Sequence, residues 1–382
     1  MSWRTVKLGD VCAVRRGTTI TEKTSVKGDV PVVAGGVGYA YKHNVANREA
    51  NVITVSGSGA NAGYVNFWNE PIFASDCSTI ESKSDEVLIE YAYFYLKSKQ
   101  KFINNTMRSG AAQPHVYAKD IAGIEMPLPS IDEQNKIVDV IRKAISIKNK
   151  CSQSLKRLTE LSNSIFFNMF VDRKVDKKKW NEVTVDFCAE TEKGSMRTGP
   201  FGSDLLHSEF TDSGVAVLGI DNAVNNYFSW SELRYISFEK YEQLKRYTVK
   251  AGDVLITIMG TCGRCAVVPD DIGLAINTKH LCCITLDKAK CLPTFLHSYF
   301  LLHPTSQKYL QQTAKGAIMS GLNMGIIKAM PILLPPIELQ AQYDVFIKNI
   351  NAQKVKQEMM LGECQALLES ISYKAFTTGF NA

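Results

Sequence analysis

The sequence predicts a mixed α/β protein. Two globular domains built on largely antiparallel sheet are joined by two long helices that form an antiparallel intramolecular coiled coil, giving a pseudo-two-fold internal repeat. Three observations predict it. First, the end of the chain repeats its middle. Tyr93, Phe94 and Leu96 recur as Tyr299, Phe300 and Leu302, and Leu128, Pro129, Ile131 and Gln134 recur as Leu334, Pro335, Ile337 and Gln340. Leu161, Ser164, Ile165 and Phe170 recur as Leu367, Ser370, Ile371 and Phe376, so one spacing of 206 (93 to 299, 170 to 376) spans the match. That is one unit used twice. Second, each copy ends in a long segment without proline whose apolar residues return at steps of three and four. Third, the segments before the copies alternate β-branched or aromatic runs with glycine turns, as antiparallel sheets do.

Along the chain, residues 1–130 form the first front domain, with VITVSGSGANAGYVNF read as strand, turn and strand. A short amphipathic helix around LIEYAYFYLKSKQ precedes the polar loop MRSGAAQPHVYAKD. Pro127 and Pro129 then stop the domain and launch the helix of 131–171. Its seam passes through Ile137, Ile141, Ala144, Cys151, Leu155, Leu158, Ile165 and Met169, broken only at Lys148 and Ser162. The second domain, 178–336, restarts at Trp180, which matches Trp3 at the shorter spacing of 177. The front segments therefore differ in length and share little sequence. Its elbow at Pro331, Pro335 and Pro336 launches the helix of 337–378, with Ile347, Ile350, Leu361, Cys364, Leu368, Ile371 and Ala375 as its seam. A seam sustained this long reads as coiled coil, about 60 Å at roughly 1.5 Å per residue. A helix with one apolar stripe needs a partner, and the obvious one is the other copy, antiparallel because a whole domain intervenes; packing of each helix on its own domain alone, or a homodimer along the seam, stays open on residues alone.

At 382 residues the chain can bury two cores, and 45% hydrophobic with 21% charged residues is ordinary for a globular protein. The start, MSWRTVKLGD, has no apolar signal region, and no apolar run is long enough to span a bilayer. A cytoplasmic protein with no membrane partner is expected, its ten cysteines reduced. A net charge of +6 permits a polyanionic partner without requiring one.

Chemical motifs are sparse. GSGANAG at 57–63 lacks the Lys-Ser/Thr ending of a P-loop and reads as a turn. Leu334-Pro335-Pro336-Ile337 is not the Asn/Asp-Pro-Pro-aromatic box of an adenine methyltransferase. Cys262 and Cys265, followed by His280, Cys282, Cys283 and Cys291, are the best metal candidates. Zinc prefers two spaced pairs, and the first copy has no cysteine in the corresponding turn, so no metal is expected. Cys77 reads as packing.

Several segments resemble the specificity subunit of type I restriction-modification systems. They are TGPFGSDL at Thr198–Leu205 followed by SGVAVLGIDN, the elbows MPLPSIDEQ and LLPPIELQ, and the Leu-x-x-Ser-Ile-x4-Phe helix ends. The first domain has no sequence counterpart of GPFGSDL. The resemblance implies a non-catalytic DNA reader whose two front domains are target-recognition domains, each taking one half of a bipartite asymmetric target. The helix pair would set the gap between the halves and dock two adenine-methylating modification subunits, to which restriction subunits can be added. The chain would bind no cofactor; S-adenosylmethionine belongs to the modification subunits, and ATP and Mg to the restriction subunits.

Reading DNA takes cations for phosphate, and Arg, Lys, Asn, Gln, Ser or His for base edges. In the first domain these expectations fall on Lys27, Asn61, Arg108, Gln113, His115 and Lys119. In the second they fall on Arg197, Ser203, Arg264, Lys279, His280, Lys315 and Asn323. The basic linker VDRKVDKKKW reads as solvated chain or as a phosphate clamp, and Arg142, Lys148 and Lys156 as outward helix positions for modification subunits. Two other classes stay open on residues alone: a coiled-coil scaffold binding protein or glycan, and a metal-dependent enzyme centred on the second-domain cysteines.

Overall fold

The computed structural model describes residues 3–110, 112–172, 180–314 and 322–377. It divides into two compact units, Met1–Ser154 with Gln357–Ala382, and Leu155–Lys356. Four helices carry the architecture: α1 (Ile89–Ser98), α2 (Ile131–Phe166), α3 (Pro293–Leu302) and α4 (Ile337–Thr377).

In the first unit, strand β1 (Arg4–Lys7) pairs antiparallel with the elbow strand β9 (Glu125–Leu128). The remaining strands are β2 (Cys12–Arg16), β3 (Val30–Val33), β4 (Tyr39–His43), β5 (Val52–Ser56), β6 (Val65–Trp68), β7 (Phe73–Ala74) and β8 (Cys77–Ser82). They build a four-stranded antiparallel sheet, β2-β8-β5-β6, and a three-stranded sheet, β4-β3-β7, in which β3 and β7 run parallel. Every residue of β5 is buried, so that strand reads as a continuous run instead of an alternation. Ile53, Val55 and Ile80 join Tyr91, Tyr95 and Leu96 of α1 in one core.

The second unit repeats this plan. Strand β10 (Asn181–Thr184) pairs with the elbow β19 (Pro331–Leu334) as β1 does with β9. Strands β11 (Met196–Thr198), β15 (Val254–Thr257), β16 (Cys265–Val267) and β18 (Leu281–Ile284) form a sheet ordered β11-β18-β15-β16. A second sheet, β12-β14-β13-β17, uses β12 (Phe210–Thr211), β13 (Val215–Leu218), β14 (Tyr235–Ile236) and β17 (Ala275–Asn277), with β13 parallel to β17. The order of the main sheet is the same in both units, although the two front segments share little sequence.

Backbone hydrogen bonds align the two units residue by residue. Gly57 N–H donates to Asp76 O at 3.0 Å and Ile258 N–H to His280 O at 2.9 Å. Ser56 and Gly63 exchange with Tyr64 and Ser56 as Thr257 and Gly263 do with Arg264 and Thr257. Asp76 and His280 therefore hold one position of the fold. A further match is Gly17 with Gly199. A Cβ on Gly17 would sit 2.1 Å from Ser75 O and one on Gly199 1.9 Å from Asn277 O, so a neighbouring backbone demands glycine at both. Gly17 is thus the structural counterpart of the first glycine of GPFGSDL, which no sequence similarity in the first domain reveals.

The repeat is not gapless. Helices α1 and α3 start at 89 and 293, 204 apart, while the elbows and long helices, 131 against 337, keep 206. The structural partner of Tyr299 is therefore Tyr95, not Tyr93. Tyr95 Oη donates to Glu125 O (2.5 Å), whereas Tyr299 Oη accepts from Leu333 N–H (3.2 Å), so each tyrosine ties its helix to its elbow strand. Both helices are rich in aromatics, which is why a neighbouring frame also matches.

One lock recurs unchanged. Buried Gln134 accepts from Leu88 N–H (2.8 Å) and donates to Glu86 O (2.8 Å) and Pro129 O (3.0 Å). Buried Gln340 accepts from Leu292 N–H (2.9 Å) and donates to Lys290 O (3.0 Å) and Pro335 O (2.9 Å). Each glutamine welds the first turn of a long helix to its own front domain.

The far ends of the long helices are exchanged. In the first unit Ile137 and Ile141 of α2 share a core with Leu368, Ile371, Ala375 and Phe376 of α4. In the second, Leu158, Ile165 and Phe166 of α2 share a core with Ile347 and Ile350 of α4. The start of one helix meets the end of the other in each unit, so the pair is antiparallel. Farther along the same pairing in the first unit, Cys364 hydrogen-bonds Cys151.

Candidate nucleic-acid interface

In the first unit, the turn between β5 and β6 carries Gly59 and Gly63 at φ of +80° and +84°. The segment after the α1 region is laced to this turn. Gly59 N–H donates to Pro114 O (3.0 Å), Val116 N–H to Gly57 O (3.0 Å), and Ser109 and His115 bond each other reciprocally. Arg108 Nε donates to Ala62 O (2.8 Å). Residues some fifty positions apart, Asn61 against Arg108, Gln113 and His115, thus share one surface. His115 stacks on Tyr117 with ring centroids 6.2 Å apart, and Lys119 Nζ lies 5.9 Å from the other's centroid. Lys27 is exposed on a different loop, next to Val26, whose N–H bonds His43 Nδ1.

Two groups that sequence reasoning missed complete this surface. Arg16 ends β2 and Asp76 leads into β8; with Gly57, His115 and Tyr117 they line a shallow cavity of about 60 Å³. Asp76 accepts a hydrogen bond from the Ser58 hydroxyl. Arg48 fixes the end of β2 by donating to Arg16 O (3.2 Å) and to Thr79 Oγ1 (2.8 Å). Neither Arg16 nor Asp76 belongs to a motif or to the matched repeat, so only the polar residue types themselves could have flagged them.

The same place in the second unit carries different chemistry. Its turn has Gly260 and Gly263 at positive φ and exposes Arg264. Lys279 and His280 stand half-buried ahead of β18. Burial, with Lys279 and Arg234 adding repulsion, holds the His280 imidazole below its ordinary pKa, so near neutrality it is uncharged and can donate as well as accept. Ser203 is exposed in the turn Gly202–Asp204, which Arg246 pins through Asp204 at 3.3 Å.

Other expected contacts are committed to the fold. Arg197 is buried, pairing with Asp253 at 2.7 Å and donating to Thr285 Oγ1 and Thr248 O. Asn323 caps the short helix Met324–Lys328, its Oδ1 accepting from Ile326 N–H at 2.9 Å. Lys315, and the linker except at its ends, lie outside the described residues. On the long helices, Arg142 pairs with Glu90 while Lys156 is exposed 4.0 Å from Glu160.

Eight of the ten thiols are buried. Burial pushes Cys77 and Cys282 up to about 12, above the thiolate range of a nucleophile. Cys265 and Cys282 both face Ile256 across β15 from the flanking strands, and among the described residues no group of three or more His, Cys, Asp or Glu could hold a metal ion. No helix among the described residues is long and apolar enough to cross a membrane.

Comparison with known proteins matches this architecture. The specificity subunit of the type I restriction enzyme MjaVIII of Methanocaldococcus jannaschii is 21% identical over 370 residues, covering 91% of this chain and 86% of that protein. The EcoBI specificity subunit of Escherichia coli is 25% identical over 325 residues, covering 78% and 67%. The crystal structure of the S subunit of a type I restriction-modification system from M. genitalium superimposes with a TM-score of 0.68 at 15% identity, over 98% of this chain and 96% of that one. The model of the type I restriction modification DNA specificity domain fits twice, at residues 1–159 and 205–358, once on each of the two front domains that the hydrogen bonds align. With most of its length covered, the chain belongs to the type I restriction-modification DNA specificity family.

Proposed function

We propose that this chain is the non-catalytic DNA reader of a type I modification complex, directing adenine methylation to a bipartite, asymmetric target with one half-site per front domain. The observation that carries this reading is a single fold presenting the same glycine turn and strand end twice, with Arg16 and Asp76 beside it in one copy and Arg264, Lys279 and His280 in the other. One frame with unlike side chains suits two unlike half-sites. Asn61, Arg108, Gln113, His115 and Lys119, with Lys27 farther off, are proposed as contacts to the first half. Ser203, Arg264, Lys279 and His280, with Lys315, are proposed for the second, while Arg197 and Asn323 serve the fold.

The partners in this reading are double-stranded DNA, two modification subunits carrying S-adenosylmethionine, and restriction subunits carrying ATP and Mg where cleavage occurs, all in the cytoplasm. The chain itself holds no cofactor. The test is genome-wide adenine methylation in cells carrying this chain with its modification subunit, against cells lacking only this chain. A two-part motif with a constant gap, present only with the chain, is the expected result. Absence of any chain-dependent motif, despite an assembled and active modification subunit, overturns the reading.

A further inference from the structure

Resting on that reading, the geometry points to one base pair: we propose that Arg16 and Asp76 together read a C·G pair in the half-site taken by the first domain. Asp76 accepts from the N4 amino group of cytosine, and Arg16 donates to O6 and N7 of its guanine partner.

The two side chains line the same shallow cavity but are not paired with each other among the described residues. The Arg16 guanidinium is exposed and has no partner there, while Arg48 anchors its backbone carbonyl, so the group is positioned without being neutralised. Asp76 Oδ2 takes the Ser58 hydroxyl, which orients the carboxylate and leaves Oδ1 without a hydrogen-bond partner among the described residues. Room for Oδ1 depends on Gly57, where a Cβ would come within 2.8 Å of it. An oriented acceptor and a free planar donor beside it match the major-groove edge of C·G, which offers one donor on cytosine and two acceptors on guanine. The cavity, at about 60 Å³, admits exocyclic groups and water and not a whole base, which suits edge reading without flipping.

The second domain lacks both groups. Asp76 is replaced by His280 and Arg16, which precedes Gly17, by Thr198, which precedes Gly199. The same two positions therefore read something other than C·G in the other half, and this pair of exchanges is one source of the target's asymmetry.

The test uses the full chain with its modification subunit in cells, read by genome-wide adenine methylation for wild type, Asp76→Asn, Arg16→Lys and Ser58→Ala. Exchanging the segment before Tyr93 identifies the first half-site. The expected wild-type motif has a C·G pair there. Asp76→Asn and Arg16→Lys should each relax that same pair, by about 5- to 150-fold in preference, with the gap and the other half unchanged. Ser58→Ala, which keeps both reading groups but releases the carboxylate that Ser58 orients, should relax the same pair and by less than Asp76→Asn does.

A first half-site without any C·G pair overturns the inference. So does an unchanged motif in both variants, or a uniform fall in methylation with unaltered sequence preference, the signature of phosphate contact. If Asp76→Asn fails to assemble, Arg16→Lys decides, since it retains charge and fold while losing the bidentate fork. If wild type yields no chain-dependent motif at all, the DNA-reading role falls instead.

Discussion

Gln134 and Gln340 show how a single side chain can define a junction. Each uses both ends of its amide to satisfy one backbone N–H and two carbonyls of the chain leading into two helices, which would otherwise be unpaired in the interior. Gln134→Leu keeps the volume but abandons Leu88 N–H, Glu86 O and Pro129 O. The expected cost is about 1–3 kcal/mol for each group that water cannot reach, read as a lower midpoint in urea unfolding, with Gln134→Glu recovering part of the acceptor role. His297 is a second informative residue. Its Nε2–H donates to Asn226 O (2.8 Å) and Cys265 O (3.1 Å), and burial holds its pKa below the ordinary imidazole value despite those carbonyls. The folded state therefore binds fewer protons than the unfolded one, so the stability due to this group is complete above about pH 6.5 and is lost as pH falls below it. His297→Gln should flatten the melting temperature between pH 7 and 5.5; an equally steep profile would contradict this.

At the scale of elements, the long helices do more than pair with each other. An aromatic at the far end of each plugs a front domain: Phe376 of α4 meets Tyr91 and Tyr95 with ring centroids 5.6 and 5.3 Å apart, and Phe170, in the helical turn Phe167–Val171 that continues α2, meets Phe295 at 5.0 Å. Tyr91 and Phe295 are equivalent positions, 204 residues apart, so the two plugs are the same contact made by opposite copies. Phe376→Ala should cost about 3–5 kcal/mol and raise hydrogen exchange in the first unit, around α1 and β5. Phe170→Ala should do the same around α3 and β15. Loss of protection in both units from either change would mean that they unfold as one body. The repeat was legible in the residues of elbow and helix because a proline stop, a buried glutamine and an apolar seam constrain sequence tightly. The α1 register was not, because aromatic residues fill neighbouring positions of that helix and a frame two residues off fits nearly as well.

For the whole molecule, the family supplies the framework and the chain's charge its test. A net charge of +6 over the whole chain permits a partner held by phosphate contacts. The family resemblance implies that the helix pair is the spacer between half-sites. Adding one heptad to both α2 and α4 lengthens each by about 10.5 Å at 1.5 Å per residue, and the methylated motif should gain about three unspecified base pairs at 3.4 Å each. A gap that stays constant after the insertion would remove the helices from the spacing role.

The sequence by itself determined the repeat, the helices and their antiparallel partnership, the turns at Gly59 and Gly63, and the polar loop that follows α1. Period, proline and glycine encode the helices and turns locally, and the recurrence of one unit with a domain between its copies sets the antiparallel partnership. Only the tertiary structure decided that Gly17 and Gly199 are equivalent, that Asp76 and His280 share a position, and that Arg197 is spent on Asp253 while Arg16 stays free. An arginine's sequence neighbourhood does not say whether its guanidinium meets a carboxylate 56 positions away or open solvent. That depends on strand pairing, which brings distant residues together through backbone hydrogen bonds that carry no side-chain signature.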